Sequence, residues 1–278
     1  MTPIAQFMQY ARHIKGYSAN TLQAYESDLH TFAQWLNDNR QGATWRTLSR
    51  SDIDSFIKFQ SEQGMKPSTT NRQISAISAI YNYFMRQGYL ESNPTRYENR
   101  KKLAELVPNT IPMQDLRKAY ERNEGVAKFM IGILATTGIR LQEMLDLRWS
   151  DIDFDSCALK IHGKGNRERV VYTSPRVLEH LEKVRAYARP DRPLFYIGQR
   201  KARYILYNAV RPFTRATQVS PHAIRHSYAT ELAKGGINAV AIAKAMGHKS
   251  IETTQRYIDM AQVGAASNSA LKLINITA

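Results

Sequence analysis

The sequence predicts a mainly α-helical chain in two domains, with one small three-stranded antiparallel sheet confined to the second. Three observations carry this. Residues 1–93 repeat apolar side chains at spacings of three and four, between helix caps, with no strand pattern. Residues 152–172 hold three short alternating or β-branched runs separated by turn residues. Between these regions, Asn93 to Pro112 is polar and interrupted, the composition of a linker. A length of 278 residues suits two ordinary domains.

The elements follow in order. Thr2 with Pro3 opens a first helix that runs to about His13. Ser18 to Asn20 caps a second, whose apolar face is Leu22, Tyr25, Leu29, Phe32 and Leu36. Ser51 with Asp54 has the form of a capping pair for a third helix, with Ile53, Phe56, Ile57 and Phe59 as its core residues. Ser68 begins a fourth, through Ile74, Ile77, Ile80, Tyr81 and Phe84, ending near Gly88. Helix resumes at Pro112, passes Phe129, Ile131, Ile133 and Leu134, breaks at Gly138, and restarts with Arg140 at the head of LQEMLDL. Strands are expected at 152–154, 158–162 and 169–172, with Gly163 to Asn166 as the hairpin turn. Pro175 starts a helix through Leu178, Leu181 and Val184; residues 192–197 read as a short strand or buried extended segment; 200–217 is mostly helical with a break at Pro212. Ser220 and Pro221 stand as N-cap and first residue of another helix.

Composition narrows the function. The net charge is +15, and it is uneven: residues 1–100 carry 11 Lys and Arg against 8 Asp and Glu, whereas residues 101–278 carry 28 against 16. A polyanion is the expected partner, met mostly by the second half. The single Cys157 excludes an internal disulfide and a cysteine-based zinc cluster, which fits a reducing cytoplasm. The chain holds neither an apolar run of 18 residues nor a signal-peptide pattern at its start, so secretion and membrane spanning are not expected.

The chemistry gathers between Ser220 and Tyr257. His222 and Arg225 are three apart and so share a helix face. An arginine fork can hold two phosphate oxygens while histidine donates to a third, which suits a phosphodiester and the charge that grows on it during displacement. A tyrosine such as Tyr257 attacking phosphorus would store the broken linkage as a phosphotyrosyl bond. His222 and His226 are also four apart, but Ala223 stands where a zincin requires Glu, so no metal site is expected.

HAIRHSYAT followed by MGHKSIETTQRY resembles the C-terminal signature of the tyrosine recombinases, the phage integrase family, and most of all its compact Xer-type and integron or transposon members. TGIRLQEMLDL and GKGNRER resemble two further motifs of that family. The resemblance implies six catalytic residues. Arg140 and Arg225 would clamp the phosphate, His222 and His248 would donate hydrogen bonds to it, Lys164 would protonate the departing 5′ oxygen, and Tyr257 would attack. His222 is also placed to accept the tyrosine proton. Glu143 would orient an arginine. Met246 stands where leucine is usual in the family, a conservative departure.

The resemblance further implies a four-helix, SAM-like core-binding domain that clamps DNA at residues 1–98, a linker at 99–111, and a mostly helical catalytic domain at 112–278. Lys66, Thr69, Thr70, Asn71 and Arg72, at the start of the fourth helix, become candidate phosphate contacts. The implied partners are double-stranded DNA with paired recombination sites and three further protomers, identical or from a second recombinase. Neither cofactor nor metal nor membrane is expected, and the place of action would be the bacterial cytoplasm, at the nucleoid. The apolar tail Leu271, Leu273, Ile274 and Ile276 would pass between protomers. Two alternative activities use similar residues: relaxation of one duplex by a type IB topoisomerase, and silent DNA binding by a regulator.

Overall fold

The computed structural model describes residues 2–95, 109–163, 167–185, 189–247, 254, 255, 257–259 and 262. Lys164, His248, most of the expected linker and the tail beyond residue 263 lie outside this set. The chain packs as two units, residues 1–105 and 106–278.

In the first unit, helices α1 (Pro3–His13), α2 (Ala19–Asn39), α3 (Arg50–Glu62) and α4 (Pro67–Arg86) enclose one core. Thr2 and Ser18 cap α1 and α2 by accepting from Ala5 N and Thr21 N. α4 presents Ile74, Ile77, Ile80 and Tyr81 inward, each nearly or wholly buried. Each fully buried isoleucine contributes roughly 1.5–3 kcal/mol, which makes α4 a principal support of this unit. Phe32 and Phe56 join α2 to α3 edge to face at 4.9 Å. Two expected starts shift. α3 is capped by Ser49, whose N–H donates to Asp52 at 2.8 Å, not by Ser51 with Asp54. Pro67, not Ser68, opens α4.

In the second unit, α5 (Met113–Arg122) leads to α6 (Gly125–Thr137), which is buried around most of its girth and packs against neighbours on several sides. α6 stops at Gly138, whose φ of +62° is left-handed; a side chain there would collide with the Tyr228 ring. The reversal delivers Arg140 as N-cap of the short α7 (Leu141–Leu145). The sheet follows, with β1 (Ile152–Asp153), β2 (Ala158–Gly163) and β3 (Arg167–Tyr172) antiparallel in sequence order. Its register sets Leu159 opposite Val171 and Ile161 opposite Arg169. α8 (Pro175–Arg185), α9 (Gln199–Val210), α10 (Pro221–Lys234) and α11 (Ala239–Met246) complete the unit.

Residues 192–197 form no strand. Pro193 makes a single bridge with Arg148 and has no N–H to extend a ladder, while Phe195 is buried in the core. No described helix is long and apolar enough to cross a membrane.

Candidate active site

Three arginines from three distant segments converge on the last carbonyls of α11. Arg169, on β3, donates Nε–H to Ala245 O at 3.3 Å. Arg225, on α10, donates through Nη2 to Met246 O at 2.7 Å and through Nη1 to Gly138 O at 2.5 Å. Arg140 donates through Nη2 to Gly247 O at 3.0 Å. The C-terminus of a helix carries unpaired carbonyls and partial negative charge, so it stabilises cations gathered there. Gly247 ends α11 with φ +64°, and the Arg169 guanidinium packs where a side chain would stand.

One carboxylate serves this cluster. Glu143 accepts both ends of the Arg169 fork, at 3.1 and 2.7 Å, and also Nη1 and the backbone N–H of Arg140, at 2.9 and 2.8 Å. Burial alone would raise the pKa of Glu143, but the hydrogen bonds from Arg169 and from the Arg140 backbone, with both charges, hold it below its ordinary value. Arg225 is only 4% exposed. Burial first, and then the charge of Arg140, push its pKa down to about 10, which leaves it protonated at neutral pH.

Ser220 caps α10 by accepting from Ala223 N at 3.1 Å, and the helix then carries His222, Arg225 and His226. His222 is held below its ordinary pKa by partial desolvation and by the charges of Arg225, Arg140 and Arg203. His226 is lowered by burial, His222 and Arg225. Its Nδ1 lies 2.5 Å from the Tyr257 hydroxyl. Tyr257 is 2% exposed and packs with Ala229, Ala233, Ile242 and Met246. With His226 neutral and its Nδ1 unprotonated, the phenol O–H donates and the imidazole accepts.

Of the residues singled out in the sequence, Arg140, Glu143 and Arg225 share this hydrogen-bonded cluster. The charge coupling of His222 to Arg140 and Arg225, and of Tyr257 to Arg225, links both to it. Lys164 and His248 lie outside the described residues. Two participants escaped the sequence reading. Arg169 was not singled out, although it stands two residues from the buried Val171 and so on the same strand face. His226 entered the sequence reading only through its spacing of four from His222; here its Nδ1 meets the Tyr257 hydroxyl.

In the first unit, Lys66 is exposed and Thr69 and Asn71 are partly exposed at the start of α4. Arg72 is bonded to Asp28 at 2.8 Å. Thr70 departs from expectation: it is 0% exposed, one turn before Ile74 on the apolar face, so its side chain points into the core and reaches no phosphate.

Residues 112–263 match the model of the phage integrase family, and residues 4–88 match that of the phage integrase N-terminal SAM-like domain. Tyrosine recombinase XerD of Listeria monocytogenes is 28% identical over 274 residues, covering 91% of this chain and 92% of its own. Tyrosine recombinase XerC of Lacticaseibacillus casei is 27% identical over 278 residues, covering 92% and 93%. Among solved structures, the XerH site-specific recombinase in a post-cleavage complex with palindromic difH substrate superposes with a TM-score of 0.75 at 16% identity, covering 96% of this chain and 84% of that one. The Tn1549 transposon integrase in complex with circular intermediate DNA gives 0.70 at 19% identity, covering 92% and 95%. These structural likenesses establish the fold.

Proposed function

This chain belongs to the phage integrase family and is a tyrosine site-specific recombinase, and from that premise we propose that Tyr257 is its nucleophile and that Arg140 and Arg225 clamp the scissile phosphate. The observation that carries the proposal is the meeting of Arg140 and Arg225, 85 positions apart in the chain, on the adjacent carbonyls of Met246 and Gly247. Only one carboxylate, Glu143, is hydrogen-bonded to the cluster among the described residues, so it keeps surplus positive charge for an incoming phosphodiester.

The Tyr257 oxygen loses its proton to His222 and bonds to phosphorus as the bond to the 5′ oxygen breaks, leaving a 3′-phosphotyrosyl link and a 5′-hydroxyl. Lys164 supplies the proton to that leaving oxygen. Arg140, Arg225, His222 and His248 stabilise the charge on the equatorial oxygens. The hydroxyl of a partner strand then attacks the phosphotyrosyl bond and reverses the step, so no external energy source is required. At 2% exposure the phenol oxygen has to leave its contact with His226 before it can meet phosphorus.

Residues 1–98 would clamp the duplex from one side, with Lys66, Thr69 and Asn71 as phosphate contacts and Arg72 engaged instead by Asp28, and residues 112–278 would carry the chemistry. Four protomers would act on two paired sites, with the apolar tail docked on a neighbour. Removal of residues 264–278 should then impair synaptic assembly more than DNA binding; unchanged assembly would refute the tail's role.

The experiment is to express wild type and Tyr257→Phe in the native host, trap covalent protein–DNA complexes under denaturing conditions, and sequence the attached DNA. Adducts at a repeated short site with wild type alone are expected. Cleavage by Tyr257→Phe would sink the assignment, and adducts scattered without sequence preference would favour a topoisomerase.

A further inference from the structure

Arg140 is held in place by two side-chain contacts, Nη1 on Glu143 Oε1 and Nη2 on Gly247 O. Arg169 stands behind both acceptors. Its fork grips both oxygens of Glu143, its Nε–H reaches Ala245 O two residues before Gly247, and its Cζ lies 3.0 Å from where a Gly247 side chain would begin. Every nitrogen of its guanidinium, Nε included, is thereby engaged by an acceptor of the protein itself.

The fork geometry has a consequence for Arg140. A carboxylate and an arginine on one short helix, three residues apart, can pair through two parallel bonds, which would aim both guanidinium edges at the protein. Arg169 already holds Glu143 in that bidentate mode, so Arg140 makes a single contact between its Nη1 and the carboxylate. A lysine in place of Arg169 would keep the charge and lose the fork.

We propose that Arg169 is a positioning residue for recombination: by fixing Glu143 and the end of α11 it sets the direction of Arg140, and it acts on the chemical step rather than on DNA affinity. The proposal rests on the reading of Arg140 as a phosphate clamp.

The test compares single-turnover cleavage at saturating DNA, and DNA Kd, for wild type, R169Q, R169K, R140K and R140K/R169Q, using the DNA site recovered with wild type. R169Q and R169K should each slow cleavage about 10- to 100-fold while Kd changes less than about 3-fold. R140K should cost on the order of 10²-fold alone and less than about 10-fold in the R169Q background, because contacting residues that act through one another are not additive. If R169Q does not fold, R169K and R140K/R169K give the same comparison with bulk and charge retained. Full activity of R169K, penalties that multiply independently, or a loss confined to Kd would each overturn the proposal. Absence of any Tyr257 adduct with wild type would instead sink the recombination mechanism itself, so the two failures are distinct.

Discussion

In residues 2–95 the buried charges are carboxylates, each answered by an arginine that stays half in water, whereas the second unit, besides Asp151 with its partner His162, buries an arginine. Asp28 meets Arg72 at 2.8 Å and Asp52 meets Arg40 at 2.7 Å, one cation for one anion. Around Arg225, by contrast, Arg140 and Arg169 share the single carboxylate of Glu143, Arg225 bonds to no carboxylate among the described residues, and the three guanidiniums otherwise lean on the carbonyls of Gly138, Ala245, Met246 and Gly247. A matched pair is complete once folded. An unmatched cluster costs stability until an anion arrives, and that difference separates a supporting charge from one held ready for a ligand.

The comparison breaks most easily at its arginines. Arg225→Lys should lower cleavage on the order of 10²- to 10³-fold, because it removes a fork from the phosphate, whereas Arg40→Lys should leave the rate within about 2-fold. Single-turnover kinetics on the same DNA read both. Anion binding sharpens the contrast at the next level. Duplex DNA at about 100 times its Kd should stabilise wild type by about 2.7 kcal/mol, and Arg225→Gln should lose most of that gain in a thermal melt. Asp52→Asn should cost about 1–2 kcal/mol of stability, since Asp52 both pairs with Arg40 and accepts from Ser49 N, yet leave the cleavage rate at low temperature unchanged.

The smallest effect concerns pH. His222 and His226 are held below their ordinary value of 6.5, so between that value and their folded values the unfolded chain binds more protons. Stability should therefore fall as pH drops from 6.5, and level off once both folded histidines are charged. Glu143 adds nothing in that range, because its stabilisation is lost only as pH falls through a value below 4.5. Bound DNA should weaken the histidine dependence, since phosphate favours imidazolium. Thermal midpoints from pH 7.5 to 5.5, with and without DNA, check both signs.

Much of this was legible in the sequence where the determinants are local. Caps such as Thr2, Ser18 and Ser220 lie three residues from the amides they serve, and Arg140 and Glu143 are neighbours across one helical turn. Ser49 with Asp52 and Ser51 with Asp54 are identical patterns two residues apart, and the choice between them accompanies a contact from outside the helix, Arg40 on Asp52. Thr70 could have been placed correctly, since its spacing of four and seven from Ile74 and Ile77 assigns it to the apolar face. Arg169 could be placed on an inward strand face but not given a role, because Glu143 and Ala245 lie 26 and 76 residues away. The contact of His226 with Tyr257 spans 31 residues and depends on how α10 and α11 pack.

The central claim is that the arginine cluster presents a phosphate to Tyr257. Its most direct test is peptide mapping of the covalent adduct formed by wild type on the recovered DNA site, after nuclease digestion to a nucleotide remnant. The account predicts that remnant on the Tyr257 side chain, and its loss in Arg225→Lys; a remnant on any other residue, or undiminished labelling in Arg225→Lys, would contradict it.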